Sequence, residues 1–475
     1  MSYGRYILTV AIKFCGGTRT VTGSVHLVST EHANIILDCG LFQGHRDEYY
    51  EVNTHFQFNP ASLDACILSH AHIDHCGNIP TLIKEGFRSS IHCTPMTKDL
   101  CRYMLLDSGF VQEEDIKYVN KINKKRGLPP RAPLYTKKEA EKSLKYFRAL
   151  NYHKALSISK DIELTFYEAG HILGAAIPVL DIKTSRKPIR IAYAVDLGRV
   201  DMPLLKDPEV PLGIEYLIIE STYGGRKHVD IKDAGDILRD TIIKTVKRGG
   251  KIIIPSFALE RTQLIVYFIS ELIKKKMISK LPIYVDGPLA VNLTKVFRDN
   301  WKYFDEATQN AFLKNEDPLG CDNITYIKNV DDSKKLNDIK KPLIIISGSG
   351  MCENGRILHH LKNNIENPKN TIVIIGYMAK DTLGKHIVEK DKIVRIFGRP
   401  YDLKAEVVVI NAFSSHADEY GLVEYVLKCK EKLKQVFIVH GDPDQAEVLQ
   451  ANLRKRLNIK PCIPDRGETV YLSTR

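Results

Sequence analysis

The 475-residue chain is 44% hydrophobic and 27% charged, the proportions of a folded globular protein with length enough for two or three domains rather than of a disordered one. No apolar run approaches the ~20 residues that span a bilayer, and the N-terminus leads into a strand-like run rather than a signal peptide, so no membrane partner is expected and a cytoplasmic location is. The formal charge of +12 favours an anionic partner such as nucleic acid, and the ten cysteines, with no Cys-x-x-Cys pair, read as reduced thiols packed in apolar segments.

In chain order, residues 7–14, 26–29 and 34–37 read as strands, with Asp38 directly after the third. The short apolar run 65–68 is a further strand. It opens into Ser-His-Ala-His-Ile-Asp-His, which sets His70, His72, Asp74 and His75 within six residues. Imidazole and carboxylate together suit Zn²⁺, with bonds of roughly 2.0–2.2 Å. So tight a loop does not aim four groups at one ion comfortably, and two neighbouring ions, about 3.5–4 Å apart, are a recurring device for phosphoester hydrolysis. Cys39 and Cys76, beside these residues, read as packing. Residues 97–150 read mainly as helices, and residues 117–148 concentrate lysine and arginine around a Gly-Leu-Pro-Pro break.

Strands return at 162–167, 176–182, 189–194 and 216–219. His171, Asp196 and Glu220 each stand at or just after a strand end, where loops assemble sites. The rhythm then changes. Helix 233–247, stopped by Gly249-Gly250, alternates with strand 251–254, helix 259–275 and strands 283–285, 343–346 and 371–375, which predicts a mostly parallel sheet covered on both faces. Strands 406–410 and 435–439 flank a helix at 419–430, with His416 and His440 at their borders.

His-x-His-x-Asp-His, with Asp38 before it and His171 and Asp196 after, resembles the metallo-β-lactamase superfamily. Glu220-Ser-Thr-Tyr-Gly, Phe413-Ser-Ser-His416-Ala-Asp and Val439-His440-Gly-Asp resemble the added motifs of its β-CASP branch of RNA and DNA nucleases. The likeness is to compact bacterial and archaeal members related to the endonuclease of mRNA 3′-end processing, and it extends over nearly the whole chain.

That resemblance implies a four-layer αββα fold built from residues 1–222 and 407–475, with an inserted α/β β-CASP domain, residues 223–406, acting as a lid over a single strand. It implies two Zn²⁺ ions: His70, His72 and His171 at one, Asp74, His75 and His440 at the other, and Asp196 bridging. Asp38 would orient ligands or water, and Glu220 would orient His416 as proton donor. The two ions would lower the pKa of a bridging water towards ~7, and cleavage would leave a 5′-phosphate and a 3′-hydroxyl. His440 favours RNA, since DNA-acting members typically lack histidine there. Ser347, Gly348, Ser349, Gly350 and Met351, a small-residue loop ahead of a helix, and Arg261 are candidates for phosphate contact. The expected partner is single-stranded RNA, with a homodimer left open, as is endonuclease against 5′→3′ exonuclease action. Rival readings are a DNA nuclease of the same branch, a small-molecule metallo-hydrolase, a flavo-diiron oxidoreductase (which carries a carboxylate where His72 stands) and a non-catalytic RNA-binding subunit.

Overall fold

The structure is a computed structural model that describes residues 10–473 apart from His45, Cys321, Tyr377 and Lys380. The chain divides into two compact units. One holds residues up to 201, 206–227 and from 415 onward; the other holds 202–205 and 228–414.

Two mixed sheets form the first unit. One has the strand order Thr469–Tyr471, Ala11–Gly16, Val25–Ser29, Asn34–Leu37, Ala65–Ile67, Ser90–Cys93, Phe147–Ala149; the other runs Gln435–Ile438, Tyr216–Ile219, Ile189–Ala194, Ala176–Ile182, Ile162–Glu168, Leu156–Ser157. Alternate residues of each strand point between the sheets. Ile12, Phe14, Ile35, Leu37 and Ile67 meet Leu164, Phe166, Ile191, Tyr193, Ile218 and Phe437 in one core. Their neighbours on the outer faces, such as Ile36, Cys66, Leu217 and Val436, are buried as well. Helices therefore cover both outer faces, which makes the unit a four-layer αββα sandwich.

His26 points into this core between Phe14 and Tyr193. Neither ring nitrogen has a partner among the described residues, and burial drives its pKa down to about 3, with the charge of His440 adding to the fall. The unfolded ring protonates near 6.5, so between about pH 3 and 6.5 the unfolded chain binds the extra proton and stability falls as pH falls. His26→Phe is expected to raise Tm by a few degrees at neutral pH. The gain should widen on acidification to pH 4; a melting series with a pH-independent difference would contradict this.

The second unit is a six-stranded parallel sheet in the order Ile324–Ile327, Ile283–Asp286, Ile344–Ser347, Ile252–Pro255, Thr371–Ile375, Glu406–Ile410, with a separate two-stranded ribbon at Ile393–Ile396 and Arg399–Asp402. The runs Ile252–Ile254 and Ile344–Ile346 are buried on both faces, as strands roofed by helices on two sides must be.

Most expected strands stand within a residue or two of their predicted ends. The part of strand 7–14 before Val10 lies outside the described residues. Three departures are instructive. Residues 97–150 are not all helix: after Pro95–Lys125 and Lys137–Ser143, the three-residue strand Phe147–Ala149 pairs with Ser90–Cys93 at a sheet edge. With Phe147 alone buried in it, the segment carries no alternation to read. The edge strand Thr469–Tyr471 escaped detection for the same reason. Strand Glu406–Ile410, expected to open the closing segment at 407, instead pairs in parallel with Thr371–Ile375 in the second unit.

Candidate metal centre

All nine expected metal and proton-transfer residues after Asp38, from His70 to His440, lie in the first unit; eight stand in segments that follow strands of its two sheets, whereas His416 comes after strand Glu406–Ile410 of the second unit's sheet. Asp38 follows Asn34–Leu37 with φ 60°, and His440 closely follows Gln435–Ile438 with φ 46°. These left-handed conformations at non-glycine residues are held by the backbone around them. His440 N donates to Gly17 O at 2.7 Å and its carbonyl accepts from Ser221 N at 3.0 Å. The segment 38–41 is laced to 73–75 by Cys39 N to His75 O at 2.8 Å and Leu41 N to Ile73 O at 2.9 Å. Gly40 makes this possible, because a Cβ there would lie 1.6 Å from the Asp74 carbonyl.

Two donor sets result. In the first, His72 Nδ1 lies 3.1 Å from His70 Nε2 and 3.2 Å from His171 Nε2, and Asp196 Oδ2 lies 3.5 and 3.3 Å from those two Nε2 atoms. Tetrahedral ligands at ~2.1 Å from an ion have edges of about 3.4 Å, so the spacing is that of four groups around one cation. In the second, Asp196 Oδ1 stands 3.6 Å from His75 Nε2 and 3.2 Å from His440 Nε2, and Asp74 Oδ2 stands 3.9 and 3.7 Å from the same nitrogens. His75 Nε2 and Asp196 Oδ1 are buried with no hydrogen-bond partner among the described residues. Orphaned donors facing one another in this way fit a cation.

Protonation of the histidines favours the same use, while burial works the other way on the carboxyls, raising Asp74 to about 6 and Asp196 above the usual carboxylate range, a cost that a bound cation would offset. Burial, then the charges of neighbouring histidines, hold His70, His75 and His171 well below the usual imidazole range. Burial also brings His440 down to about 4, against an opposing pull from Glu220. Neutral rings with free lone pairs are the ligating form.

Asp38 fixes which nitrogen is free. Its Oδ2 accepts from His75 Nδ1 at 2.7 Å, Tyr193 OH at 3.0 Å and Ser69 Oγ at 2.8 Å, and its Oδ1 accepts from Ser69 N at 2.7 Å. A carboxylate acceptor puts the His75 proton on Nδ1 and leaves Nε2 bare. The Ser69 hydroxyl spends its single proton on Asp38, so it can only accept from His70 Nδ1, 2.9 Å away. One carboxylate thus sets a ring in each donor set. Sequence reasoning missed Ser69 and Tyr193: Ser69 stood beside His70 as a readable signal, whereas Tyr193 had none. Ser69→Ala is expected to weaken metal binding at the first set about 10- to 100-fold, measured by chelator competition, while Ser69→Thr retains it.

Beside the donor sets, His416 Nδ1 donates to Glu220 Oε1 and Oε2 at 3.1 and 3.0 Å, and its Nε2 stands 4.0 Å from Asp196 Oδ2. Leu197 N donates to Glu220 Oε1 at 2.6 Å. Burial pushes the Glu220 carboxyl up, but the charge and hydrogen bond of His416 outweigh it and hold the group below the usual carboxylate range. Backbone pairing seats the histidine: Ala417 N donates to Leu197 O at 2.8 Å and Arg199 N to Ser415 O at 3.1 Å. Gly198 fits between, since a Cβ there would lie 2.0 Å from Gly170 O. Asp196, Glu220 and His416 also fall within metal-ligand reach of one another, yet the Glu220–His416 pair already satisfies itself. Cys39 and Cys76 are buried free thiols outside both donor sets.

The phosphate candidates belong to the second unit, at the carboxyl ends of its parallel strands, where ligands of such sheets bind. Ser347 Oγ donates to Asp286 O at 2.8 Å, and Ser349 Oγ accepts from Glu353 N at 3.0 Å. The helix begins only at Arg356, and Ile357 N donates back to Gly348 O at 3.1 Å, so the loop folds onto the helix start instead of running directly into it. Gly350 lies against the Phe257 ring. Arg261 Nη1 donates to Ile375 O at 3.1 Å, which ties the start of its helix to a neighbouring strand. Two cavities elsewhere, one of about 270 Å³ lined by His32, Lys160, Asp161 and Lys183, contain none of these residues.

The sandwich and its paired His/Asp donor sets define a metallo-hydrolase. Family models agree: residues 27–201 match a metallo-β-lactamase superfamily domain, 262–387 a β-CASP domain, and 400–464 a Zn-dependent metallo-hydrolase RNA specificity domain. The chain is 32% identical to Ribonuclease TTHA0252 of Thermus thermophilus over 90% of its own length and 93% of that protein's. It is 32% identical to an RNase J-like protein of Methanocaldococcus jannaschii, over 96% of its length and 99% of that protein's. It is 31% identical to Transcription termination factor FttA of Methanosarcina mazei, over 98% of its length and 72% of that protein's. The chain belongs to the β-CASP branch of the metallo-β-lactamase superfamily, and the donor clusters support divalent-metal use. Among the described residues no helix is long and apolar enough to cross a membrane.

Proposed function

We propose that this β-CASP protein is a metal-dependent ribonuclease that hydrolyses phosphodiester bonds of single-stranded RNA, leaving a 5′-phosphate and a 3′-hydroxyl. The observation that carries the reading is seven buried or half-buried donors in two sets sharing Asp196, with the Glu220–His416 pair alongside. His70, His72 and His171 would hold one zinc ion; Asp74, His75 and His440 would hold a second; Asp196 would give one oxygen to each. Bound there, the metal would neutralise phosphate charge and acidify a water molecule.

The chain's own groups do the rest. Asp38 keeps Nδ1 of His75 protonated, and through Ser69 that of His70, so neither ring rotates or changes tautomer. Glu220 keeps the Nδ1 proton of His416 in place and turns its Nε2 towards Asp196, where that nitrogen can pass a proton to the departing ribose oxygen. Backbone N–H groups near Ser347–Met351, and Arg261, are the proposed contacts to RNA phosphates.

End-labelled single-stranded RNA and DNA, incubated with the zinc-loaded protein and sized, test this. Shortened RNA bearing 5′-phosphates with DNA left intact is the expected outcome. Intact RNA together with turnover of a lactam or thioester would replace the proposal with a small-molecule hydrolase.

A further inference from the structure

Between residues 117 and 148 stand eleven lysines and arginines against two glutamates, a formal +9 of the chain's +12. All eleven are exposed. They lie on two helices packed against each other, Pro95–Lys125 and Lys137–Ser143, and on the segments beside them. Lys117, Lys121 and Lys125 repeat at four-residue spacing on the first helix, and Lys138 and Lys142 do so on the second, so each helix carries a stripe of positive charge.

Fewer acidic groups oppose it: Glu113, Glu114 and Asp115 precede Lys117 on the first helix, and Glu141 is exposed on the second. Glu139, half-buried, is engaged in a capping box: it accepts from Thr136 N at 2.7 Å and from Thr136 Oγ1 at 2.9 Å. Lys117 pairs with Glu114 on the surface, where such a pair contributes little. The helix macrodipole accounts for lysines in a last turn, Lys124 and Lys125. It does not account for Lys117, Lys138 or Lys145.

The loop joining the helices is held rigid. Asn120 Nδ2 donates to Arg131 O at 2.9 Å, Asn120 Oδ1 accepts from Arg131 N at 2.8 Å, and Asn123 Nδ2 donates to Pro129 O at 3.1 Å. Tyr118, 61% exposed, sits within the stripe and offers a ring for a base to stack on.

We propose that this helical spur is a second RNA-docking surface, which grips phosphates of the substrate away from the bond being cut. The proposal rests on the ribonuclease reading for its choice of polyanion. The long helix starts beside the His171 loop, where Thr94 Oγ1 and Thr97 Oγ1 donate to Gly174 O at 2.7 and 2.8 Å. At 1.5 Å per residue the basic tip lies roughly 40 Å along the helix from that end. A strand rising ~3.4 Å per nucleotide covers this in about 12 nucleotides, so the surface serves long RNAs and not short ones.

The test compares the wild type with the quadruple variant Lys121→Gln, Lys124→Gln, Lys125→Gln and Arg126→Gln, with unchanged melting as the folding control. Affinities for single-stranded RNAs of about 8 and about 40 nucleotides are measured across a salt series. Four lost phosphate contacts are expected to weaken binding of the long RNA on the order of tenfold or more, and to make its log K against log salt slope shallower by about three. The short RNA should bind and be cleaved as by the wild type. An unchanged affinity and slope for the long RNA would overturn the proposal, as would equal weakening for both lengths. Loss of binding to anionic lipid vesicles with RNA binding intact would also overturn it, in favour of a membrane surface. Wild type that binds the long RNA in the same length-dependent way but cleaves nothing would leave the docking surface standing and remove the ribonuclease reading.

Discussion

Asp196→Asn is expected to lower RNA cleavage by at least about a thousandfold, ~4 kcal/mol of transition-state stabilisation, and to leave the protein with little bound metal. The substitution is nearly isosteric, so packing around this buried residue is preserved. What changes is charge and donor character. One side-chain atom becomes an N–H₂ group facing either the Nε2 atoms of His70 and His171, 3.5 and 3.3 Å away, or those of His75 and His440 at 3.6 and 3.2 Å. Whichever set receives it exchanges an anionic ligand for a donor that repels a cation. Metal content by elemental analysis, read beside cleavage of labelled RNA, checks both halves. Wild-type metal with wild-type cleavage would remove Asp196 from the centre. Loss at one set only, with most activity kept, would mean that a single ion suffices.

His416→Ala is expected to slow RNA cleavage about 10²- to 10⁴-fold, the usual range for a lost general acid, with metal content unchanged. The ring lies outside both donor sets, with its Nδ1 committed to Glu220. The step it serves is protonation of an alkoxide leaving group. A phosphodiester whose leaving group is p-nitrophenolate needs no such proton, so its hydrolysis should fall far less in the variant. That contrast separates proton donation from mere support of the fold, which would depress both substrates alike. Glu220→Gln should act in the same direction but more weakly, because it removes the orientation and charge behind the ring and keeps the ring itself. Loss of metal from His416→Ala would make the histidine a ligand instead.

Much of this is legible in the sequence. Strands such as Asn34–Leu37, Ala176–Ile182 and Tyr216–Ile219 declare themselves by short apolar runs, and the isoleucine runs at 252–254 and 344–346 mark strands buried on both faces. Edge strands like Phe147–Ala149 stayed hidden, because a three-residue strand with one buried side chain has no period to detect. The donors were legible because imidazole and carboxylate side chains at strand ends are chemically conspicuous wherever they fall.

The sequence by itself determined which side chains could bind metal or move a proton, since that depends on functional groups alone. Only the tertiary structure decided how they combine. It set Asp196 between two donor sets, turned Ser69 and Tyr193 towards Asp38, and left the ring nitrogens of His26 buried with no hydrogen-bond partner among the described residues. The physical reason is that ligand geometry and tautomer depend on distances of a few ångströms between residues far apart in the chain, such as Asp38 and Tyr193. Those distances are fixed by the packing of two sheets and not by local spacing.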